Sequence, residues 1–305
     1  MNSGGVHSRR NNNDMSWLII GGDGQLGLSF CELLTERNIS FHFSTIDTLD
    51  ITNADAVHDF VRQHSPSVVV NCAAWTAVDA AEDNEEAAHA VNCNGARYVA
   101  QATKTANATH VLVSTDYVFP GNATTPYKEN DPTGPVSVYG KTKLCGELAA
   151  LEEYPSDTYI VRTAWLYSKY GHNFVKTMTR QALAGNVVRV VNDQLGQPTH
   201  AGDLAQHIID LVIPKAPTGV YHGTNAGQTS WYDLTREIYS LLGQDLELVT
   251  PVPSSEYPTK ATRPSYSVLS HEQTLRNNVS EMQPWNGALR QNMPDIRHVI
   301  EAEKA

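Results

Sequence analysis

The sequence has no apolar run approaching the roughly 20 residues that a membrane helix needs. Its longest runs, Trp17-Leu18-Ile19-Ile20 and Val68-Val69-Val70, are the size of buried strands. Cysteine is sparse: Cys31, Cys72, Cys93 and Cys145 are scattered and form no CxxC pair. Neither structural zinc nor a disulfide scaffold is expected from that spacing, and a reducing cytoplasm suits it. Cations are outnumbered, with 22 Lys and Arg against 33 Asp and Glu and a net charge of −11. A surface that acidic repels polyphosphate and excludes a general nucleic-acid coat. An anionic small ligand would need local donors to overcome the same field. The 12 histidines form no HxH or HxxxH ligand pattern, and the 5 methionines are dispersed.

What is present suffices for one large domain or two ordinary ones: 305 residues, 41% hydrophobic and 18% charged. Residues 1–15 read as a disordered leader; Arg9 and Arg10 precede an Asn run with no apolar segment, so this is not a signal peptide. From Ser16 onward, short apolar runs alternate with amphipathic stretches. Strands are expected at 17–20, 39–43, 68–71, 110–114 and 159–161, and helices at 25–37, 54–64, 85–106 and 139–153. That alternation predicts an α/β fold, a Rossmann-type doubly wound parallel sheet, with a smaller C-terminal substrate-binding lobe. The cofactor domain is expected over 16–170 with returning segments at about 187–222, and the lobe over 171–186 and 223–305. The Pro-rich stretch from Pro251 to Pro264 precedes a mixed C-terminal region.

Directly after the first strand, Gly21, Gly24 and Gly27 stand in the spacing GxxGxxG. Such a turn lets a pyrophosphate approach the backbone, and the helix N-terminus behind it offers free N–H groups. The second strand ends in Ser44-Thr45 without an acid, so nothing there repels a 2′-phosphate and NADPH is favoured over NADH. Asp47 and Asp50 remain near enough in sequence to approach a ribose.

Two further segments carry chemistry: Ser114-Thr115-Asp116-Tyr117 at the end of the fourth strand, and Tyr139-Gly140-Lys141-Thr142-Lys143 opening a helix. Tyr139 and Lys143 share one helical face. A phenol is a poor acid–base group at its ordinary pKa of about 10, and a nearby ammonium favours its ionised form. Thr115 can donate to the same carbonyl oxygen as Tyr139 while hydride reaches carbon.

In this order the motifs resemble those of the extended short-chain dehydrogenase/reductases, in the dTDP-4-dehydrorhamnose reductase branch. The carrying segments also include Asn71-Cys72-Ala73-Ala74-Trp75-Thr76, Arg162-Thr163-Ala164-Trp165, Asn192-Asp193-Gln194-Leu195-Gly196-Gln197-Pro198-Thr199 and Arg263-Pro264-Ser265. The resemblance spans Ser16 to the C-terminus. It implies reduction of the C4 keto group of dTDP-4-dehydro-L-rhamnose with hydride from NADPH. It implies Thr115, Tyr139 and Lys143 as catalytic residues. Gly21, Gly24, Gln25, Leu26, Asp50, Ile51, Ala73, Ala74, Thr76 and Lys143 would line the cofactor. Thr76, Val78, Thr115, Asp116, Tyr117, Tyr139 and Trp165 would line the dTDP-sugar.

The chain departs from that pattern at Ser29 and Gly202, where some members carry glutamates that bridge a dimer through Mg²⁺. Mg²⁺ requires oxygen ligands, so no metal and a cytoplasmic monomer are expected, with no nucleic-acid or membrane partner. Two alternatives remain open. A non-catalytic subunit resembling the regulatory subunit of methionine adenosyltransferase would lack the Tyr–Lys pair. An epimerase or dehydratase of the same fold would regenerate its NAD each cycle, and a dehydratase would add an acid after Asp116, where Tyr117 stands.

Overall fold

Strand β1 (Ser16–Ile20) is buried from Trp17 on, because both of its faces are covered. The computed structural model describes residues 15–303. The expected leader, apart from Met15, lies outside them. After β1 come α1 (Gln25–Glu36), β2 (Ser40–Ser44), α2 (Ala54–His64), β3 (Val68–Asn71) and the single turn α3 (Val78–Ala81). The stretch expected as one helix over 85–106 is three pieces: α4 (Glu85–His89), a π-helical segment (Ala90–Gly95) and α5 (Ala96–Thr105). The period of Ala88, Val91, Gly95, Val99 and Ala102 is helical in either case, so periodicity alone could not reveal the widened turn. Then follow β4 (Thr109–Thr115), α6 (Val138–Glu153) and β5 (Thr158–Thr163).

The second half supplies β6 (Leu166–Tyr167), α7 (Phe174–Leu183), β7 (Val188–Val191), β8 (Leu195–Gly196), β9 (Thr199–His200), α8 (Ala201–Val212) and β10 (Gly219–His222). It continues through β11 (Thr229–Ser230), α9 (Trp231–Leu241), β12 (Val249–Val252), α10 (Glu272–Arg276) and α11 (Trp285–Ala302). Sequence reading leaves α11 unassigned, because Pro294 lies inside it and breaks the pattern.

The six-stranded sheet runs β10-β5-β4-β3-β1-β2 and is parallel throughout. Ile19 pairs with Phe43 on one side and Val70 on the other. Alternate β1 side chains serve opposite layers. Trp17 and Ile19 pack with Phe30 of α1 and with Leu204 and Ile208 of α8. Leu18 and Ile20 pack with Val57 and Val61 of α2 and Val99 of α5. This is the expected doubly wound fold, and chain order reverses between β1 and β3, where such sheets bind ligands. The expected return at 187–222 is narrower in the structure: α8 and β10 rejoin the sheet, whereas β7 pairs with β12. Val190 and Val249 bury themselves there against Ala182 and Tyr239, which holds β7 in the lobe. A second cluster joins α7, α9 and α11 through Val175, Leu234, Ile238 and Ile296.

Cys93 and Cys145 are joined as a disulfide, with Cα atoms 5.2 Å apart. The scattered spacing, with no CxxC pair, gave no expectation of this bond. Their 52-residue separation conceals that the π segment lies beside α6. None of the described helices is long and apolar enough to cross a membrane.

Candidate active site

The loops at the carboxyl ends of β1, β3, β4 and β5 enclose a cleft of about 870 Å³. Its first wall is the glycine turn. Gly21 adopts φ +78°, and a Cβ on Gly27 would overlap the Gly21 carbonyl oxygen. Helix α1 begins at Gly24, which places no side chain over the first N–H groups, and its first turn holds no acid. An anion therefore meets free donors there.

Every expected cofactor residue lines this cleft: Gly21, Gly24, Gln25, Leu26, Asp50, Ile51, Ala73, Ala74, Thr76 and Lys143. So do the expected substrate residues Thr76, Val78, Thr115, Asp116, Tyr117, Tyr139 and Trp165. Thr45 joins them, but Ser44 does not; its buried hydroxyl has no partner among the described residues. Asp50 is spent locally, accepting from the Thr52 N–H at 2.9 Å and its hydroxyl at 2.7 Å.

Asn92, in the π segment, ties the loop after β3 to α6. Its side chain accepts from Trp75 N–H at 2.8 Å and donates to the Thr142 hydroxyl at 3.0 Å. Helix α6 starts at Ser137, whose hydroxyl accepts from Gly140 N–H at 3.1 Å. That cap sets Tyr139 and Lys143 on the face turned to β4. The Tyr139 and Tyr117 rings meet edge to face, centroids 5.5 Å apart.

Thr115 is 5% exposed; its hydroxyl donates to Asp116 at 2.9 Å and accepts from Tyr117 N–H at 3.2 Å. Burial pushes the Tyr139 phenol up to about 12; the facing Thr115 hydroxyl works against the rise, and the charge of Asp116 adds to it. The Lys143 ammonium donates to the Val113 carbonyl at 2.7 Å. Burial pulls Lys143 down to about 8, opposed by the negative charge of Glu147 one turn on. Asp116 is raised to about 6 by burial, against hydrogen bonds from Ser267 and Thr115. Lys143 is the one Lys or Arg among the described lining residues.

On the far wall Trp165 was expected, but the residues that brace it were not. Trp165 sits at φ +46°, a left-handed conformation costly for a bulky residue. Its indole stacks on Trp231 with centroids 3.5 Å apart and planes 8° from parallel. Phe174, Val175 and Leu234 continue this apolar surface. The only sequence signal was a tryptophan opening the helix at 231. The pairing of Arg162 on β5 with Glu147 on α6 was not foreseen, and Ser114 donates to Glu147 at 2.5 Å.

Comparison with known proteins shows the family. The family described as RmlD substrate binding domain matches residues 15–297. A dTDP-4-dehydrorhamnose reductase of Streptomyces griseus is 45% identical, over 92% of this chain and 93% of its own. A probable dTDP-4,6-dihydroxy-2-methyloxan-3-one 4-ketoreductase of Streptomyces antibioticus is 43% identical, over 92% and 96%. A dTDP-4-dehydrorhamnose reductase from Bacillus anthracis, solved in complex with NADP, gives a TM-score of 0.88 at 36% identity, covering 92% of this chain and 99% of that one.

Proposed function

The chain belongs to the family described as RmlD substrate binding domain, and from that membership we propose that it reduces the keto group of a dTDP-sugar with NADPH. The substrate we assign is dTDP-4-dehydro-L-rhamnose, reduced at C4 to dTDP-L-rhamnose. The observation that carries the reading is the gathering of Thr115, Tyr139 and Lys143 on one side of a cleft whose other side is the glycine turn. The cleft suits a dinucleotide on its own geometry: bare N–H groups at α1, no room for a side chain at Gly27, and a single buried ammonium.

When bound, NADPH supplies the hydride. Tyr139, held near pKa 12, is a protonated phenol at neutral pH and donates its proton to the carbonyl oxygen as negative charge develops there. Thr115 faces the same phenol and shares the hydrogen bonding to that oxygen. Lys143, whose ammonium donates to the Val113 carbonyl, would hydrogen-bond the cofactor ribose. Trp165, braced by Trp231, offers an apolar plate to the sugar. The surface charge of −11 is overcome locally, by helix N–H groups and Lys143.

An assay following NADPH oxidation with enzymatically prepared dTDP-4-dehydro-L-rhamnose tests the assignment. One NADPH consumed per sugar is expected, and separates reduction from epimerisation or dehydration. No absorbance loss overturns it. We assign the working form as a cytoplasmic monomer, since Ser29 and Gly202 offer no carboxylate for a bridging Mg²⁺. Sedimentation showing a Mg²⁺-dependent dimer would contradict this.

A further inference from the structure

We propose that His89, Cys93 and Cys145 form a second, redox-gated site that takes a thiophilic metal ion, Zn²⁺ being the fitting one, once their disulfide is reduced. The three ligand atoms lie within 4.8 Å of one another. Nε2 of His89 is 3.6 Å from Sγ of Cys145. A tetrahedral zinc with Zn–S of about 2.3 Å and Zn–N of about 2.0–2.1 Å sets its sulfur and nitrogen ligands about 3.6 Å apart and two sulfurs about 3.8 Å apart. The His89–Cys145 pair therefore already spans one coordination edge. On reduction the two sulfurs must part to reach the second edge, and the third edge, His89 to Cys93, starts within 4.8 Å.

The ligands stand on helices rather than on loops. His89 ends α4 and Cys93 follows one turn later in the π segment, so both face one side. Cys145 comes from α6, and at the next residue, Gly146, a Cβ would overlap the Asn92 carbonyl oxygen. The two backbones thus touch beside the site and hold its dimensions. Cys93 is 3% exposed whereas His89 is exposed, which gives a sheltered floor and an open entry. Water completes the fourth position. Two thiolates and an imidazole favour Zn²⁺ over Mg²⁺ or Ca²⁺. None of the three residues lines the cofactor cleft.

The chemistry balances. A dithiol reductant delivers two electrons and two protons to the Sγ–Sγ bond, leaving two thiols here and a disulfide on the reductant. Zn²⁺ then displaces both thiol protons, and His89 binds as the neutral imidazole. With Cys93 and Cys145 oxidised the site offers no thiolate and the metal has no anchor there.

Co²⁺ is the probe. The full chain is reduced with a phosphine, which becomes the phosphine oxide with water as proton source, and is then desalted and titrated with Co²⁺. The expected result is one Co²⁺ per chain, with a thiolate-to-cobalt charge-transfer band that Zn²⁺ abolishes. The disulfide form is expected to show no band. Cys145→Ser and His89→Ala are expected to weaken binding by about tenfold or more, whereas Cys31→Ser leaves it unchanged. NADPH binding by each variant reports that the fold is intact, and His89, being exposed, decides the matter if Cys145→Ser unfolds. A reduced wild-type chain without the band, or a band that survives in His89→Ala at undiminished affinity, overturns the proposal.

Discussion

Arg162 grips Glu147 with two nitrogens, Nε 2.9 Å from Oε1 and Nη2 2.7 Å from Oε2, and both side chains are no more than 5% exposed. The pair lies between β5 and α6, and Ser114, the residue before Thr115, donates to the same carboxylate. A charge pair so placed contributes little net stability while intact, yet removing one partner strands the other.

Glu147→Ala is accordingly expected to lower the unfolding free energy by about 3–5 kcal/mol. Replacing both partners, with Glu147→Met and Arg162→Met, should recover most of that loss. Urea unfolding of the three variants measures this. A Glu147→Ala chain as stable as wild type would show that the pair is solvated.

Tyr139→Phe removes the hydroxyl proposed as proton donor and keeps the ring against Tyr117. The kcat should fall by about 10²- to 10⁴-fold, with the NADPH Kd nearly unchanged. Steady-state kinetics beside fluorescence titration separates the two effects, and wild-type turnover would remove Tyr139 from the mechanism.

Lys143, held at about 8 in the free chain, is largely neutral at pH 9. An anionic cofactor favours its charged form, so NADPH binding at pH 9 should take up close to one proton and weaken as pH rises further. Calorimetry in buffers of different ionisation enthalpy counts the proton. Lys143→Met should abolish the uptake.

Asp116 titrates near 6 in the folded chain against an ordinary 3.8. Below 3.8 both states are protonated. Between the two values the unfolded chain ionises first, so the stability this carboxyl confers is full at low pH and gone above about 6. Asp116→Asn escapes that loss and is expected to gain on wild type by as much as about 3 kcal/mol between pH 4 and pH 8. Chemical unfolding at the two pH values tests the sign, and a gain that shrinks as pH rises would refute it.

Trp231→Ala deprives Trp165 of its stacking partner. A stack of this kind is worth about 0.5–1.5 kcal/mol, which predicts a rise of about threefold to tenfold in KM for the sugar nucleotide. The KM for NADPH should not move.

Much of this was legible in the residues. The first five strands stand within two residues of their expected ends. All three catalytic candidates reach the same cleft as the glycine turn. Local patterns carry that information: buried strands are continuous apolar runs, and the motifs sit at strand ends. What sequence reading missed depends on contacts between distant segments. Trp231 meets Trp165 across the lobe, Arg162 meets Glu147 between a strand and a helix, and Cys93 meets Cys145 only because two helices lie side by side. Helix α11 failed for another reason, since Pro294 hides a helix that packing restores.

The position of β10 at the sheet edge, with α8 packed against α1, has a consequence for synthesis. The glycine turn is synthesised early, but the layer that seals α1 is not complete until Val212 and the edge strand β10 not until His222. By then α7 and β7 of the lobe have already emerged. The six-stranded sheet therefore cannot be completed before α7 and β7 have been made. A nascent chain halted after β5 would present Trp17 and Phe30 uncovered, as a client for chaperones rather than a working nucleotide-binding domain.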